Sequence, residues 1–357
     1  MPTLANSIRG RGAHSNASGR YESLVHEEFD DGWTVEDPEP QQLKTEVQPE
    51  KARVIITKND SPDIGFDQSI NPYRGCEHGC IYCYARPAHA YMGLSPGLDF
   101  ESKLFFKPQA GALLEKELSK PTYRPKVIHV GGNTDPYQPQ ERKLRVTRQV
   151  IEVLSRFNHP FSIITKSALI TRDIDLLGPM GVRNLVRAAV SVTTLDRKLA
   201  RSMEPRAATP ERRLDAIRQL SDAGVPTIVM FAPAIPGLND HELEEVLERA
   251  KQAGAVGAGY VALRLPLEIK DLFREWLESD HPDRAKKVMS LVRQIRGGKD
   301  YDSEWGKRMT GQGPVAEMLA KRFEIASRRL SFGRRWDGLD LSQFRVPPKA
   351  GDQLSLF

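Results

Sequence analysis

No stretch of this sequence approaches the ~20 consecutive apolar residues that a membrane helix needs, so a bilayer-spanning segment is not expected. The first residues, Met1-Pro2-Thr3-Leu4-Ala5-Asn6-Ser7-Ile8-Arg9, lack a charged start followed by an apolar block. That argues against a secretory leader and makes the cytoplasm the expected location. Cysteine is scarce: Cys76, Cys80 and Cys83 are the only three in 357 residues, all inside one short run. An odd, clustered set cannot be a disulfide framework. A strong charge of one sign is also lacking, because 52 Lys+Arg against 47 Asp+Glu leave a formal excess of only +5. So mild a balance does not by itself imply nucleic acid. What remains, 39% apolar and 28% charged residues, is globular in composition, with length enough for one large domain or two smaller ones.

Residues 1–55 show no sustained apolar period. A Gly/Arg/Ser/Asn-rich opening (Arg9-Gly10-Arg11-Gly12-Ala13-His14-Ser15-Asn16) turns acidic around Glu27 to Glu39, which reads as a flexible N-terminal arm and linker. From about residue 127, β-branched runs alternate with amphipathic segments: Val127–Val130, Phe161–Ile164, Ala189–Val192, Thr227–Phe231 and Tyr260–Leu263. Their length suits strands buried on both faces of a parallel sheet. One intervening helix carries Thr209 as N-cap, Pro210 at its first position and Gly224 beyond its end, and another starts at Asn239 with Glu242 three residues on. Successive βα units follow, as a barrel or an open α/β sheet. Helical patterns near 268–279, 282–297 and 314–330 then lead to a Pro/Gly linker. The expected division is a core at 56–275, a helical, basic extension at 276–346 and a flexible tail at 347–357. No internal repeat is present.

The centre of the sequence is Cys76-Glu77-His78-Gly79-Cys80-Ile81-Tyr82-Cys83, a C-x3-C-x2-C loop. Three thiolates this close suit one soft metal centre. Zinc would need a fourth ligand, for which His78 and His89 are candidates. A [4Fe–4S] cubane would leave its fourth iron open to a ligand that is not protein.

The spacing, with Tyr82 directly before the third cysteine, resembles the signature of radical S-adenosylmethionine (SAM) enzymes. Ser69-Ile70-Asn71-Pro72-Tyr73-Arg74-Gly75-Cys76 and Gly131-Gly132-Asn133-Thr134-Asp135-Pro136-Tyr137-Gln138-Pro139 further resemble the spore photoproduct lyase-like (DNA repair photolyase-like) branch. The likeness covers about residues 55 to 270. It implies an α/β fold, a partial (β/α)6 barrel with the cysteine loop after its first strand and, here, a C-terminal helical extension. It also implies a [4Fe–4S] cluster on Cys76, Cys80 and Cys83, SAM as cofactor, and reductive cleavage of SAM to a 5′-deoxyadenosyl radical. An electron donor such as a flavodoxin or ferredoxin is then required.

Functional groups of barrel enzymes lie at the C-terminal ends of the strands. Gly131 and Gly132 there permit close backbone approach of SAM, followed by Asn133 and Thr134, while Lys166 and Ser191 match SAM-contacting positions of the branch. Tyr82 would lie beside the adenine, and Arg206 would pair with a carboxylate or phosphate or else form a loop ion pair. His129, inside an apolar strand, reads as a packed core residue. Spore photoproduct lyase closes its cycle with a further cysteine, which this sequence lacks. A tyrosine such as Tyr84, Tyr91 or Tyr137 would have to donate the hydrogen atom instead, with Tyr84 and Tyr137 the leading candidates.

Between Lys321 and Trp336, the basic residues Lys321, Arg322, Arg328, Arg329, Arg334 and Arg335 are interleaved with Phe323, Phe332 and Trp336, a pattern that suits phosphates and stacked bases or a wet helix face. The chain ends in Gln353-Leu354-Ser355-Leu356-Phe357, which resembles the pentapeptide by which bacterial proteins bind the DNA sliding clamp. The expected function is therefore a radical SAM enzyme acting on DNA, by lesion repair or base modification. The alternatives are modification of RNA or protein, or a non-catalytic iron–sulfur or zinc adaptor on the clamp.

Overall fold

A computed structural model describes residues 10–22, 43–333 and 338–348. Strands are numbered in chain order: β1 (Glu46–Pro49), β2 (Ile56–Lys58), β3 (Gln68–Ile70), β4 (Tyr73–Arg74), β5 (Lys103–Phe106), β6 (Ile128–Val130), β7 (Phe161–Thr165), β8 (Val186–Ser191), β9 (Thr227–Ala234) and β10 (Gly257–Ala262). The large sheet runs β10-β9-β8-β7-β6-β3-β2, with β3 and β6 to β10 parallel and β2 antiparallel to β3. Six parallel strands with intervening helices make the partial barrel, and β3 leads into the cysteine loop. β1, β5 and β4 form a small sheet that brackets that loop.

The strands are sealed on one face rather than both. Phe161, Ile163, Ile128 and Val130 are fully buried against helices such as Val146–Arg156, whose Val150, Ile151 and Leu154 are also fully buried. Each such side chain contributes roughly 1.5–3 kcal/mol. The opposite face lines the barrel interior and is polar: Ser69, His129, Ser162 and Arg187 stand side by side in register. His129 thus faces the interior instead of the helix-packed core. Its ring stacks on Phe66 at 4.2 Å, its Nδ1 lies 2.9 Å from Ser162 Oγ, and burial lowers its pKa to about 4.

The helix Pro210–Asp222 follows Thr209, starts on a proline and ends before Gly224 at φ +78°, as the sequence predicts, although the Thr209 side chain makes no capping bond. Asn239 departs from expectation. It is fully buried and its amide donates to Thr193 O and Pro233 O while accepting from Ile235 N, so it ties the end of β8 to the end of β9. The helix proper begins at Leu243.

Three boundaries drawn from the sequence shift. Residues 10–22 are not a free arm, since Arg11, Ala13 and His14 are buried against the cysteine loop and the helix Ile269–Asp280. The division at 275/276 falls inside that helix, whose Phe273, Trp276 and Leu277 form a second core with Ile81, Tyr82 and Met203. The helix Pro314–Arg329 packs on β10, with Tyr260 and Phe323 ring centroids 4.8 Å apart, and so belongs to the outer layer of the core rather than to a separate extension.

The basic face of that helix is largely consumed. Arg322 holds Glu244 through two bonds of 2.8 and 2.6 Å, Arg329 pairs with Glu248, and Arg328 pairs with Glu324 at 2.7 Å. Phe323 and Phe332 pack inward, so they offer no open stacking platform. Arg334, Arg335 and Trp336 lie outside the described residues. Across the gap between β10 and β2, Asp63 accepts from Gly306 N at 2.7 Å and Arg308 Nε at 2.5 Å, so loops bridge the open side of the barrel. Among the described residues, no helix is long and apolar enough to cross a membrane.

Candidate metal centre

The cysteine loop leaves β4 and is held by its own backbone and by its neighbours. Cys76 N donates to Phe100 O at 3.0 Å, Cys83 N to Cys80 O at 3.1 Å and Ile81 N to Met203 O at 3.0 Å. All three cysteines are free; Cys76 and Cys80 are buried and Cys83 is half-buried. Burial, then the charge of Asp135 and of the two other cysteines, pushes the Cys76 thiol well up, and burial likewise raises Cys80 and Cys83. Metal-free thiols in such surroundings stay protonated and unreactive, and a bound metal would deprotonate them. This suits ligands better than nucleophiles.

The zinc alternative loses its fourth ligand. His89 Nε2 is 2.9 Å from Lys103 O and its ring packs edge-on against Phe100, while His78 Nδ1 lies 3.3 Å from Asp135 Oδ2. Among the described residues, no three His, Cys, Asp or Glu side chains converge as ligands of a single ion. Three free thiols on one loop are the soft donor set that an iron–sulfur cluster takes.

Behind the loop lies a buried polar group absent from the sequence expectation. Tyr82 donates its hydroxyl to Glu204, which also accepts from Thr193 Oγ1 at 2.6 Å and pairs with Arg213. Arg213 in turn donates to Ser191 O at 3.1 Å and Ala208 O at 2.7 Å, so one guanidinium joins Glu204 to the end of β8. Burial alone would raise Glu204, but Arg213 and Lys166 overcome it and hold the carboxyl at about 2. Lys166 Nζ sits 5.7 Å from the centre of the Tyr82 ring, and its charge reaches Cys80 and Cys83. Its backbone N–H donates to Asp135 Oδ2 at 2.7 Å. Asp135 also accepts from Thr165 Oγ1 at 2.6 Å; against burial, the nearby His78 and these donors hold it at about 2.

The glycine pair divides in role. Gly131 has φ +98°, and a Cβ there would meet Pro136 Cδ at 2.7 Å, so its turn demands glycine. At Gly132 an added Cβ would meet only ordinary contacts, Phe66 at 3.7 Å and His129 and Ser69 at 3.8 Å, so no steric demand for glycine is visible there, and its carbonyl accepts from the Tyr84 hydroxyl. Asn133 is exposed with its N–H on Asn71 Oδ1, whereas the Thr134 hydroxyl donates to Tyr73 O and is buried. Ser191 is buried at the end of β8.

Three sequence assignments change. Arg206 forms the loop ion pair, with Nη1 2.6 Å from Glu77 Oε1 and Nε donating to Gly10 O, and is not free for a cofactor. Tyr137 is fully buried in the helix-packed core with its hydroxyl on Asp173 Oδ2 at 3.0 Å, and the Tyr91 ring meets Tyr21 at the surface at a tilt of 38° and not in a stack. Neither Tyr91 nor Tyr137 stands at the site. Tyr84 does: 46% exposed, it follows Cys83, donates to Gly132 O and lies under the Arg264 guanidinium at 5.0 Å.

Glu204, Arg213, Arg86 and Glu101 were missed as site residues, and only the assignment of Arg206, two positions after Glu204, pointed near any of them. The tail residues Gln353, Leu354, Ser355, Leu356 and Phe357 lie outside the described residues.

Residues 70–250 match the model of the Radical SAM superfamily. An uncharacterized protein of Mycobacterium tuberculosis is 36% identical over 231 residues, 64% of this chain and 68% of that one. A radical SAM Nα-GlyT isomerase of Pseudomonas phage M6 is 24% identical over 246 residues, 65% of this chain and 48% of that one. Among solved structures, spore photoproduct lyase complexed with dinucleoside spore photoproduct superposes with a TM-score of 0.57 at 15% identity, over 80% of this chain and 79% of that one. At that identity the likeness is one of fold.

Proposed function

The chain belongs to the radical SAM superfamily and is an enzyme, and on that premise we propose that it holds a [4Fe–4S] cluster on Cys76, Cys80 and Cys83, cleaves SAM reductively, and acts on DNA. The reading is carried by three free thiols on one loop, with the Lys166 charge and the Tyr82 ring beside them. When bound and reduced by an external electron donor, the cluster would supply one electron to the sulfonium of SAM, whose bond to the ribose C5′ would break to give methionine and a 5′-deoxyadenosyl radical.

The protein's own residues hold geometry. The Gly131-Gly132 turn, bare of side chains, would take the methionyl end of SAM once Tyr84 gives up its bond to Gly132 O. Tyr82, fixed by Glu204, offers a ring face for the adenine, and Lys166 adds positive charge next to the ligating sulfurs. Tyr84, which carries a phenolic hydrogen at the rim of the barrel, is the candidate hydrogen-atom donor. The polar inner row of Ser69, His129 and Ser162 gives the substrate hydrogen-bond partners.

DNA as the target is supported by the fold likeness to a lyase solved with a dinucleoside photoproduct and by the clamp-like tail. After anaerobic reconstitution with iron and sulfide and reduction, 5′-deoxyadenosine is expected to form from SAM. Irradiated DNA should raise that yield several-fold over undamaged DNA, RNA or peptide. Equal yields with all of them would sink the DNA assignment. The tail is tested separately: Phe357→Ala should weaken binding to a bacterial sliding clamp at least ten-fold, about 1.4 kcal/mol, by surface plasmon resonance while leaving SAM cleavage unchanged.

A further inference from the structure

We propose that residues 10–13 are a clasp that, through Glu101 and Arg86, fixes the cysteine loop in its cluster-binding shape and seals its outer side. This rests on the reading that the three cysteines hold a cluster, and it assigns that loop a support formed by a distant part of the chain.

Arg86 is fully buried three residues after Cys83, and all five of its N–H donors are used. Nε donates to Cys80 O at 2.9 Å, Nη1 to Pro96 O at 3.1 Å and Gly97 O at 2.9 Å, and Nη2 to Gly79 O at 3.2 Å and to Glu101 Oε1. One guanidinium therefore fixes two carbonyls of the loop between Cys76 and Cys83. Its charge is balanced by Glu101, which is also fully buried.

Glu101 is completed from the N-terminal segment. Gly12 N donates to Oε2 at 2.9 Å and Ala13 N to Oε1 at 2.8 Å, while Arg11 Nη1 donates to Glu101 O at 2.7 Å. Removing the segment would leave a buried carboxylate short of two donors, a costly state in a low-dielectric site. The fit leaves no slack: a Cβ at Gly12 would lie 1.9 Å from Gly79 O, and one at Gly79, already at φ +68°, would lie 2.6 Å from Glu101 Oε2. Arg206 closes the ring, bonding Gly10 O at 3.0 Å and Glu77 at 2.6 Å. The segment, Glu101, Arg86 and the loop carbonyls thus form one connected set, which positions ligands without touching substrate. Outer partners of this kind change metal affinity by roughly 10–100-fold.

The test compares full-length wild type, Gly12→Val and Glu101→Gln after anaerobic cluster loading. The readouts are iron per chain after gel filtration, bleaching of the cluster absorption in air, and the rate of tryptic cleavage at Arg11. Gly12→Val is expected to bleach about ten-fold faster, to lose iron and to expose Arg11, with a lowered unfolding midpoint but the circular dichroism of wild type. Glu101→Gln, which keeps the shape, should fall between; if Gly12→Val fails to fold, Glu101→Gln decides alone. Arg20→Ala, at the exposed end of the same segment, should behave as wild type. Retention of iron and an unchanged bleaching rate in a Gly12→Val protein whose Arg11 is cleaved rapidly would overturn the clasp. Wild type that takes up no iron–sulfur cluster would instead overturn the cluster reading, and the clasp with it.

Discussion

Alanine at any one of Cys76, Cys80 or Cys83 is expected to abolish 5′-deoxyadenosine formation and to drop iron content to near zero after desalting. The loop explains why one ligand suffices. All three thiols are free, all three are raised by burial, and the two histidines near them are held by Lys103 O and Asp135, so none of these can replace a lost sulfur. A metal bound here must release three protons from thiols that burial keeps protonated, and the coordination bonds have to outweigh that cost. With two ligands the balance shifts toward the apo state. The apo variants should still fold, because Cys→Ala removes little volume from a loop anchored through Arg86 and Met203 O. Circular dichroism matching wild type, together with a missing cluster absorption band, would separate ligand loss from misfolding. Full iron retention in any one variant would remove that cysteine from the ligand set.

Arg213→Met is expected to cost about 3 kcal/mol at pH 7, seen as a lower urea midpoint, and to release Tyr82. Arg213 and Glu204 are both fully buried, and removing one partner of such a pair leaves an uncompensated charge, typically a loss of about 3–5 kcal/mol. The pH dependence has a definite sign. In wild type, Glu204 sits at about 2 against an ordinary 4.5, so its contribution is fully present above pH 4.5 and fades as pH falls toward 2. In the variant, burial acts with less opposition and raises the carboxyl, so stability gains as pH falls and the carboxyl takes up its proton. The difference between the two proteins should therefore narrow from pH 7 to pH 5. A constant difference over that range would show that Glu204 is not the group left behind. Cluster-loaded Arg213→Met should also bind SAM more weakly, since Tyr82 loses its fixed hydroxyl partner.

The sequence was most legible where chemistry is local. The C-x3-C-x2-C loop needs only neighbours along the chain, and the β-branched runs mark five of the six parallel strands because burial of an outer face demands apolar residues at regular intervals. Of the pair Gly131-Gly132, only Gly131 sits in a turn that demands glycine, while Gly132 O is bonded by Tyr84. Legibility failed where a side chain's role depends on a distant partner. Arg206 and Tyr137 looked like site residues by position, yet Glu77 claims one and Asp173 the other. Arg322, Arg328 and Arg329 read as a basic face, yet Glu244, Glu324 and Glu248 neutralise them, two of these from a helix some eighty residues earlier.

The Arg-Gly-Arg-Gly opening shows the limit most clearly. Low hydrophobicity and two glycines describe a segment that cannot bury a core of its own, and composition therefore reads it as an arm. In the fold Gly12 is what lets the backbone lie against Gly79, and the amides of Gly12 and Ala13 satisfy Glu101. The order of residues alone determined the cysteine motif, the strand and helix pattern and the family, because each follows from spacing within a few residues. Only the tertiary structure decided which charges are paired, which tyrosine faces the barrel and what holds the cysteine loop, because a buried charge is defined by the partner that long-range folding brings to it.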